Sequence, residues 1–363
     1  MKPRVLFVGR TRYRLPLSTS LAQKFDALRE ELDVRVLASS ADSGVGNETF
    51  RLVPDRGGAR FWLTLPFRAA RQLRDFQPAA VITQSPFEAA AALLARRLAR
   101  VPTRVITDVQ GDWRTATRLY GSPARALLRP LADGVAAAAL RRVDAVRTIS
   151  PFTTRLVRDL GIEPAGSFPT FVDLEAFTRS DPVPPPAAPV AVFVGVLEPY
   201  KNIDGLAAVW PAVVAQLPEV RLHVVGKGSR ATVVEELVAR QPSVRWTREL
   251  DAAGVAQALD EATLLVLPSR SEGMGRVVIE AFARSRPVVG TRVGGIADLV
   301  EDDVTGLLVD PGDARALTDA LVALLGDRDR AAQLGRRARE GVEPWLQTPA
   351  EFAAKTRALV EAG

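Results

Sequence analysis

The sequence has no cysteine and a single histidine. Without thiols it can form no disulfide, thiolate nucleophile or sulfur-ligated metal, and one imidazole cannot build a histidine cluster, so zinc chemistry is set aside. No metal-binding Asp-x-Asp is read in it, and no metal or other cofactor is expected. Lysine is nearly as scarce, at positions 2, 24, 201, 227 and 355, so the formal charge of +6 is carried by arginine. Those arginines are dispersed rather than gathered in one stripe, and no aromatic stacking motif accompanies them. Nucleic acid is therefore not expected as a partner. No run of about twenty apolar residues occurs, and the chain enters a strand at Arg4-Val5-Leu6-Phe7-Val8 with no apolar signal core before it. The expectation is a soluble, cytoplasmic protein.

What is present fits two domains. The chain has 363 residues, 47% of them hydrophobic, which exceeds the usual size of one core. Short apolar runs near 4–8, 33–37, 79–83, 104–107 and 145–149 alternate with helical patterns near 18–31, 66–75, 86–100, 123–142 and 151–160, as in a doubly wound parallel sheet. Asp181-Pro182-Val183-Pro184-Pro185-Pro186-Ala187-Ala188-Pro189 is too rich in proline for an element interior and reads as a stiff linker. A second alternating set follows, with strands near 190–195, 220–225, 243–246, 262–267, 287–290 and 307–309. The expected division is therefore 1–180, a linker at 181–189, a second α/β domain at 190–345, and a last helix within 346–363.

The chemistry concentrates between Ser269 and Asp310. Pro268 ends a buried strand, Glu272-Gly273-Met274-Gly275 forms a tight loop, and a helical pattern starting near Val277 places Glu280 inside a helix. A helix N-terminus presents unpaired N–H groups and a partial positive charge, which suits a diphosphate, and loop glycines let backbone amides come close. Glu280, further along the helix, is placed to accept from ribose hydroxyls, and Glu272 from the hydroxyls of a sugar on that diphosphate. Two solvated glutamates around a helix start would give the same letters, and four ordered motifs argue against that reading.

Those four are Glu272-x7-Glu280; Pro287-Val288-Val289-Gly290-Thr291-Arg292-Val293-Gly294-Gly295-Ile296; Val304-Thr305-Gly306-Leu307-Leu308-Val309 with Pro311-Gly312-Asp313; and Phe193-Val194-Gly195-Val196-Leu197-Glu198-Pro199-Tyr200-Lys201-Asn202, and the strand-ending turn Val224-Val225-Gly226-Lys227-Gly228-Ser229, by itself only a tight turn, accompanies them. Together they resemble the family 4 retaining glycosyltransferases over nearly the whole C-terminal half. The resemblance implies a GT-B architecture, two Rossmann-like domains facing across a cleft, with the last helix returning to the first domain. It also implies a retaining, metal-independent transfer of a hexosyl group from a UDP-, GDP- or ADP-sugar to a glycan, lipid-linked or small-molecule hydroxyl. Front-face displacement, in which the departing phosphate takes the acceptor proton, is the mechanism it suggests. On this reading Glu272 holds the donor sugar, Gly273, Met274 and Gly275 supply backbone contacts, Glu280 holds the ribose, and Gly195 and Lys201 meet the diphosphate. Arg248 falls where the family's loop nears the base. The family commonly has arginine after Gly195; Val196 stands there, with Arg276 as a substitute cation.

On the acceptor side, Asp108-Val109-Gln110-Gly111-Asp112-Trp113 follows the fourth expected strand and suits a sugar pocket, although Asp112 is also an ordinary helix cap. Gln110 aligns with a histidine of relatives and cannot titrate. Asp108 and Asp112 are the candidates to orient an acceptor hydroxyl. His223, mid-strand, reads as core. Gly9 matches a glycine loop facing the diphosphate. Phe61-Trp62-Leu63-Thr64-Leu65-Pro66-Phe67-Arg68, with Arg60, Arg71 and Arg74, suits either a helix packed inside the first domain or peripheral contact with anionic lipid. The rival functions are a nucleotide-sugar epimerase or hydrolase, and a sugar-nucleotide-binding protein without strong turnover, which Val196 and Gln110 favour.

Overall fold

The runs Ala80-Val81-Ile82-Thr83, Leu264-Leu265-Val266-Leu267 and Val288-Val289-Gly290-Thr291 are buried residue by residue, with no alternation between an inner and an outer face. Such strands need cover on both sides, which parallel sheets obtain from crossover helices. The computed structural model, which describes residues 1–40, 46–54, 58–119 and 127–362, contains two such sheets in two compact units. Unit 1 is Met1–Phe171 with Gln347–Gly363, and unit 2 is Val172–Leu346.

Unit 1 holds β1 (Arg4–Tyr13), β2 (Asp33–Ser40), β3 (Phe50–Pro54), β4 (Ala80–Thr83), β5 (Arg104–Val109), β6 (Ala145–Thr148) and β7 (Gly166–Ser167), in the order β3-β2-β1-β4-β5-β6-β7. The order reverses direction between β1 and β4, where open α/β sheets place ligands. β1 pairs with β4 only through Val8, opposite Thr83, and then continues alongside β2 as far as Tyr13. Gly9 therefore lies where β1 parts from β4. The expected strand 4–8 runs five residues longer, and β3 and the two-residue β7 are edge strands that the sequence pattern did not announce.

The helix expected at 66–75 begins at Gly58 and runs to Phe76 with Pro66 inside it. Proline removes one mid-helix donor; burial of Phe61, Leu65, Ala69 and Leu73 along one side holds the helix through that point. The helix expected from 123 is Arg129–Leu140, and residues 120–126 lie outside the described ones. Helix Pro349–Glu361, capped by Thr348 and Glu351, packs on helix Thr19–Glu31. Phe352, Leu359 and Val360 enter the unit 1 core there, and Arg357 pairs with Glu31 at 3.0 Å.

Unit 2 holds β8 (Val190–Val194), β9 (Arg221–Val225), β10 (Val244–Thr247), β11 (Leu264–Leu267), β12 (Val288–Thr291) and β13 (Gly306–Val309), in the order β10-β9-β8-β11-β12-β13. Its reversal falls between β8 and β11. The proline-rich stretch is not a free linker between 180 and 190, because the division falls at Phe171 and Val172. Two buried arginines explain the difference. Arg284 donates to the carbonyls of Phe177 (3.2 Å), Ser180 (2.7 Å) and Asp181 (3.2 Å), and Arg286 donates to Val183 (2.9 Å). Arg328 adds the carbonyl of Pro185 at 2.9 Å, so residues 177–185 are fastened to unit 2. Among the described residues no helix is long and apolar enough to cross a membrane.

Candidate active site

Each side of the β8/β11 reversal contributes one charged side chain. After β8 the chain makes a short turn over Pro199–Lys201, and Asn202 takes a left-handed conformation (φ 54°) before helix Ile203–Gln216. This turn buries Lys201. After β11, Ser269 is fully buried and the chain passes through Glu272 to helix Arg276–Ala283. The Lys201 ammonium donates to Glu272 Oε2. The backbones are tied as well, since Arg270 N–H donates to the carbonyl of Tyr200 at 2.6 Å.

The glycines of the site answer to close approaches. Gly275 (φ 77°) starts the helix in a left-handed conformation. A side chain at Gly294 (φ 48°) would overlap the carbonyl oxygen of Glu272, and one at Gly295 would overlap Met274. Gly295 N–H donates to that same Glu272 carbonyl at 3.0 Å. The Gly-Gly pair is thus a seat for the Glu272–Gly275 loop. Gly226 (φ 146°) plays the same part against the carbonyl of Gly195, whose own Cβ position faces the Lys201 stem.

Glu280 lies one turn into the helix with a side chain 12% exposed, 3.7 Å from Arg276. Burial pushes its carboxyl upward, and Arg276 and then Lys201 oppose that shift. Unit 2 therefore brings Gly195, Lys201, Glu272, Gly273, Met274, Gly275, Arg276 and Glu280 to the ends of two neighbouring strands. Arg248 is set apart from them, past β10, stacked on Trp246 (4.3 Å) and paired with Glu235 (3.0 Å). Val196 is 46% exposed. His223 is neutral and structural: its Nδ1 accepts from Arg245 (2.9 Å), its Nε2 meets Thr247 (2.9 Å), and its pKa is held down at about 4, first by burial and then by Arg245. Asp327-Arg328-Asp329 does spell Asp-x-Asp, against the sequence reading; Asp327 caps helix Arg328–Glu340 through the N–H of Arg330.

In unit 1, Asp108 is not a free carboxylate. Its Oδ2 accepts from Arg147 (2.8 Å) and Gln110 (3.0 Å), while Oδ1 is buried with no hydrogen-bond partner among the described residues. Arg147 also donates to the carbonyls of Phe168 and Pro169 and stacks on Phe168. Asp112 acts as a local cap, accepting from the N–H of Arg114 (3.0 Å) and from its guanidinium (2.7 Å). Gly9 faces the side chain of Gln84, which a Cβ would displace. One residue here escaped the sequence reading. Glu88, in the first turn of helix Pro86–Ala99, accepts from the N–H of Arg10 (3.3 Å) and keeps Oε2 buried with no hydrogen-bond partner among the described residues. Burial pushes its carboxyl up to about 7. A carboxylate in Ser85-Pro86-Phe87-Glu88 reads from sequence only as a helix-start residue.

Residues 188–327 match the family model described as glycosyl transferases group 1, and residues 17–166 match the glycosyl transferase 4-like domain. The sulfoquinovosyl transferase SQD2 of Arabidopsis thaliana is 34% identical over 163 residues, 44% of this chain and 31% of that one. A GDP-mannose-dependent monoacylated alpha-(1-6)-phosphatidylinositol monomannoside mannosyltransferase of Corynebacterium glutamicum is 30% identical over 225 residues, 55% of this chain and 58% of that one. The matched part thus spans 31% of the one relative and 58% of the other. Among solved structures, a sucrose-phosphate synthase from Thermosynechococcus elongatus superposes with a TM-score of 0.79 over 99% of both chains at 21% identity, a likeness of fold.

Proposed function

The chain belongs to the group 1 glycosyltransferases, family 4 of the GT-B fold, and from that premise we propose that it moves a hexosyl group from a nucleoside diphosphate sugar to an acceptor hydroxyl. The observation that carries this reading is the enclosed Lys201–Glu272 pair at the β8/β11 reversal, with Glu280 one turn behind it. A diphosphate entering there meets the Lys201 ammonium and the unpaired N–H groups of the helix beginning at Arg276. Those groups stabilise the charge that develops as the sugar–phosphate bond breaks. Glu272, released from Lys201, accepts from a sugar hydroxyl, and Glu280 takes the ribose.

Transfer proceeds with retention and without a metal. The acceptor oxygen bonds to the anomeric carbon on the face from which the diphosphate departs, the bonding pair leaves with the phosphate oxygen, and that oxygen takes the acceptor proton. A non-titrating Gln110 is compatible with this route, since the donor phosphate is the base. Asp108, Gln110 and Asp112 belong to the acceptor-side group, as does Gly9 for approach of the diphosphate. The acceptor is a glycan, lipid-linked or small-molecule hydroxyl. One matched relative is named as GDP-mannose-dependent, so guanosine donors stand beside uridine and adenosine donors.

The test is nucleotide release from a panel of UDP-, GDP- and ADP-sugars with a mixed acceptor extract, Glu272→Ala being the control. Release from one donor, lost in the variant, is the expected result. Donor binding without release across the panel would replace the transferase with a sugar-nucleotide-binding protein, the reading that Val196 favours. Conversion of the donor with no acceptor present would instead indicate an epimerase or hydrolase.

A further inference from the structure

Helices Gly58–Phe76, Pro86–Ala99 and Arg129–Leu140 of unit 1 connect β3 to β4, β4 to β5 and β5 to β6. Each of these crossovers advances across the sheet in the same direction, so right-handed connection puts all three helices on one face, where they pack side by side. The inner side of the first is filled by Phe61, Leu65 and Leu73. Its outer side is not what a solvated helix carries. Arg60, Leu63, Phe67, Arg71 and Arg74 recur every three or four residues along one stripe. Leu63 is 74% exposed and Phe67 66% exposed. The neighbouring helices continue the apolar surface with Leu94 and Leu98, 46% and 38% exposed, and with Leu131 and Val135, 66% and 41% exposed.

The charge on this helix is mostly positive. Helix Gly58–Phe76 carries four arginines against one acid, Asp75, which lies 3.7 Å from Arg71. Arg68 and Arg71 also line a cavity of about 570 Å³ at the sheet edge, together with Arg35 of β2 and Arg51 of β3, four arginines against the single acid Asp75 in its lining. Arg35 reaches Gln72 (3.2 Å) and stacks on Phe76 (4.3 Å), so its guanidinium is fixed at the cavity wall. Apolar side chains flanked by arginine, beside an arginine-lined hollow, complement a surface with anionic headgroups over an acyl layer. A second copy of the chain fits poorly, because a two-fold contact through this stripe would set arginines against arginines.

We propose that this face docks unit 1 on an anionic lipid bilayer, with Leu63 and Phe67 entering the acyl boundary and the Arg35/Arg51/Arg68/Arg71 hollow receiving a lipid phosphate. The docking uses no residue of the donor site and stands whether or not the transferase reading does.

The experiment sediments the full chain, without donor, with phosphatidylcholine vesicles and with vesicles in which about a third of the lipid is phosphatidylglycerol. Binding to the anionic vesicles alone, weakening as salt shortens the Debye length, is expected. Leu63→Ser with Phe67→Ser, both outside the core, should lower partitioning about ten-fold or more at an unchanged melting temperature. Arg35→Gln with Arg51→Gln should lower binding while Leu63 and Phe67 stay in place. Equal binding to neutral vesicles, equal binding of the Leu63/Phe67 variant, or self-association without lipid binding would each overturn the proposal. Nucleoside diphosphate affinity of the Leu63/Phe67 variant, measured in parallel, should equal that of the parent, which separates failure of docking from failure of the donor site.

Discussion

The Lys201 ammonium, on the turn after β8, donates to Glu272 Oε2, on the loop after β11, and the two side chains are only 9% and 14% exposed. With so little water present, removing one partner leaves the other charge poorly solvated, which in buried pairs costs about 3–5 kcal/mol. Lys201→Met and Glu272→Gln should each lower the melting temperature of unit 2, and the double variant should melt higher than the sum of the two losses allows. Each single variant should also reduce nucleotide release by about a hundred-fold or more, the scale of a lost charge-stabilising contact. Additive melting losses would mean that the two charges do not depend on each other.

Gly294 and Gly312 both have positive φ, 48° and 92°, yet they differ in what surrounds them. A Cβ at Gly312 meets nothing within 4 Å, whereas one at Gly294 overlaps the Glu272 carbonyl. Gly312→Ala should cost only the left-handed penalty of about 1 kcal/mol. Gly294→Ala should cost more and should also weaken nucleotide binding, because the Glu272–Gly275 loop must move. Calorimetric titration of a nucleoside diphosphate into both variants makes the comparison; equal affinities would remove the Gly-Gly seat from the account of the site.

Glu88 gives unit 1 a pH dependence near neutrality. Its carboxyl is pushed up from 4.5 to about 7 by burial, against the opposing N–H of Arg10. The folded state therefore holds a proton that the unfolded chain releases, so this contribution to stability is full below about pH 4.5 and is lost as pH rises through 7. Glu88→Gln should flatten the fall in stability between pH 5 and 8, a difference of up to about 3 kcal/mol by linkage. Denaturant melts across that range, followed in parent and variant, decide it; parallel curves would place the carboxyl in water.

Asp108 and Arg147 form a second enclosed pair, 8% and 6% exposed. Asp108→Asn should destabilise unit 1 by about 3 kcal/mol, since Arg147 stays buried on the Phe168 and Pro169 carbonyls. Gln110→Ala removes one of two donors to Asp108 and should cost about 1 kcal/mol. If transfer falls in Asp108→Asn at a temperature where the protein is fully folded, the aspartate also serves the acceptor; unchanged transfer confines it to holding Arg147.

How much of this was legible depended on the range of the interaction. Lys201, Glu272 and Glu280 could be read because strand, loop and helix follow one another locally, and each residue type fits the end of its element. The seat made by Gly294 and Gly295 could be read as a motif, but its purpose lies in a contact with a loop twenty residues earlier. Arg284 and Arg286 were silent, and their hydrogen bonds to 177–183 are what move the unit boundary away from the prolines. In the segment 61–68, packing inside unit 1 accounts for only some of the residues. Phe61 and Leu65 face the core while Leu63 and Phe67 face out, a distinction set by the helical phase once the helix begins at Gly58.

Val196 stands where the family resemblance leads one to expect an arginine, and its surroundings make that expectation testable. The residue is 46% exposed, follows Gly195 directly, and lies on the loop that ends in Lys201. A longer side chain there needs no core rearrangement, so Val196→Arg should leave the stability within about 0.5 kcal/mol of the parent's. What it adds is a second cation on the β8 side of the site, where the proposed diphosphate gains charge as the sugar departs. A donor of that kind that acts in the transition state is worth about 3 kcal/mol, or a hundred-fold in rate, and a cation that only attracts the ground state raises affinity without raising turnover. Nucleotide release should therefore rise in kcat in Val196→Arg. A lower KM at unchanged kcat would show that the arginine binds the diphosphate without stabilising its departure, and that Lys201 with the helix end already supplies what the reaction needs.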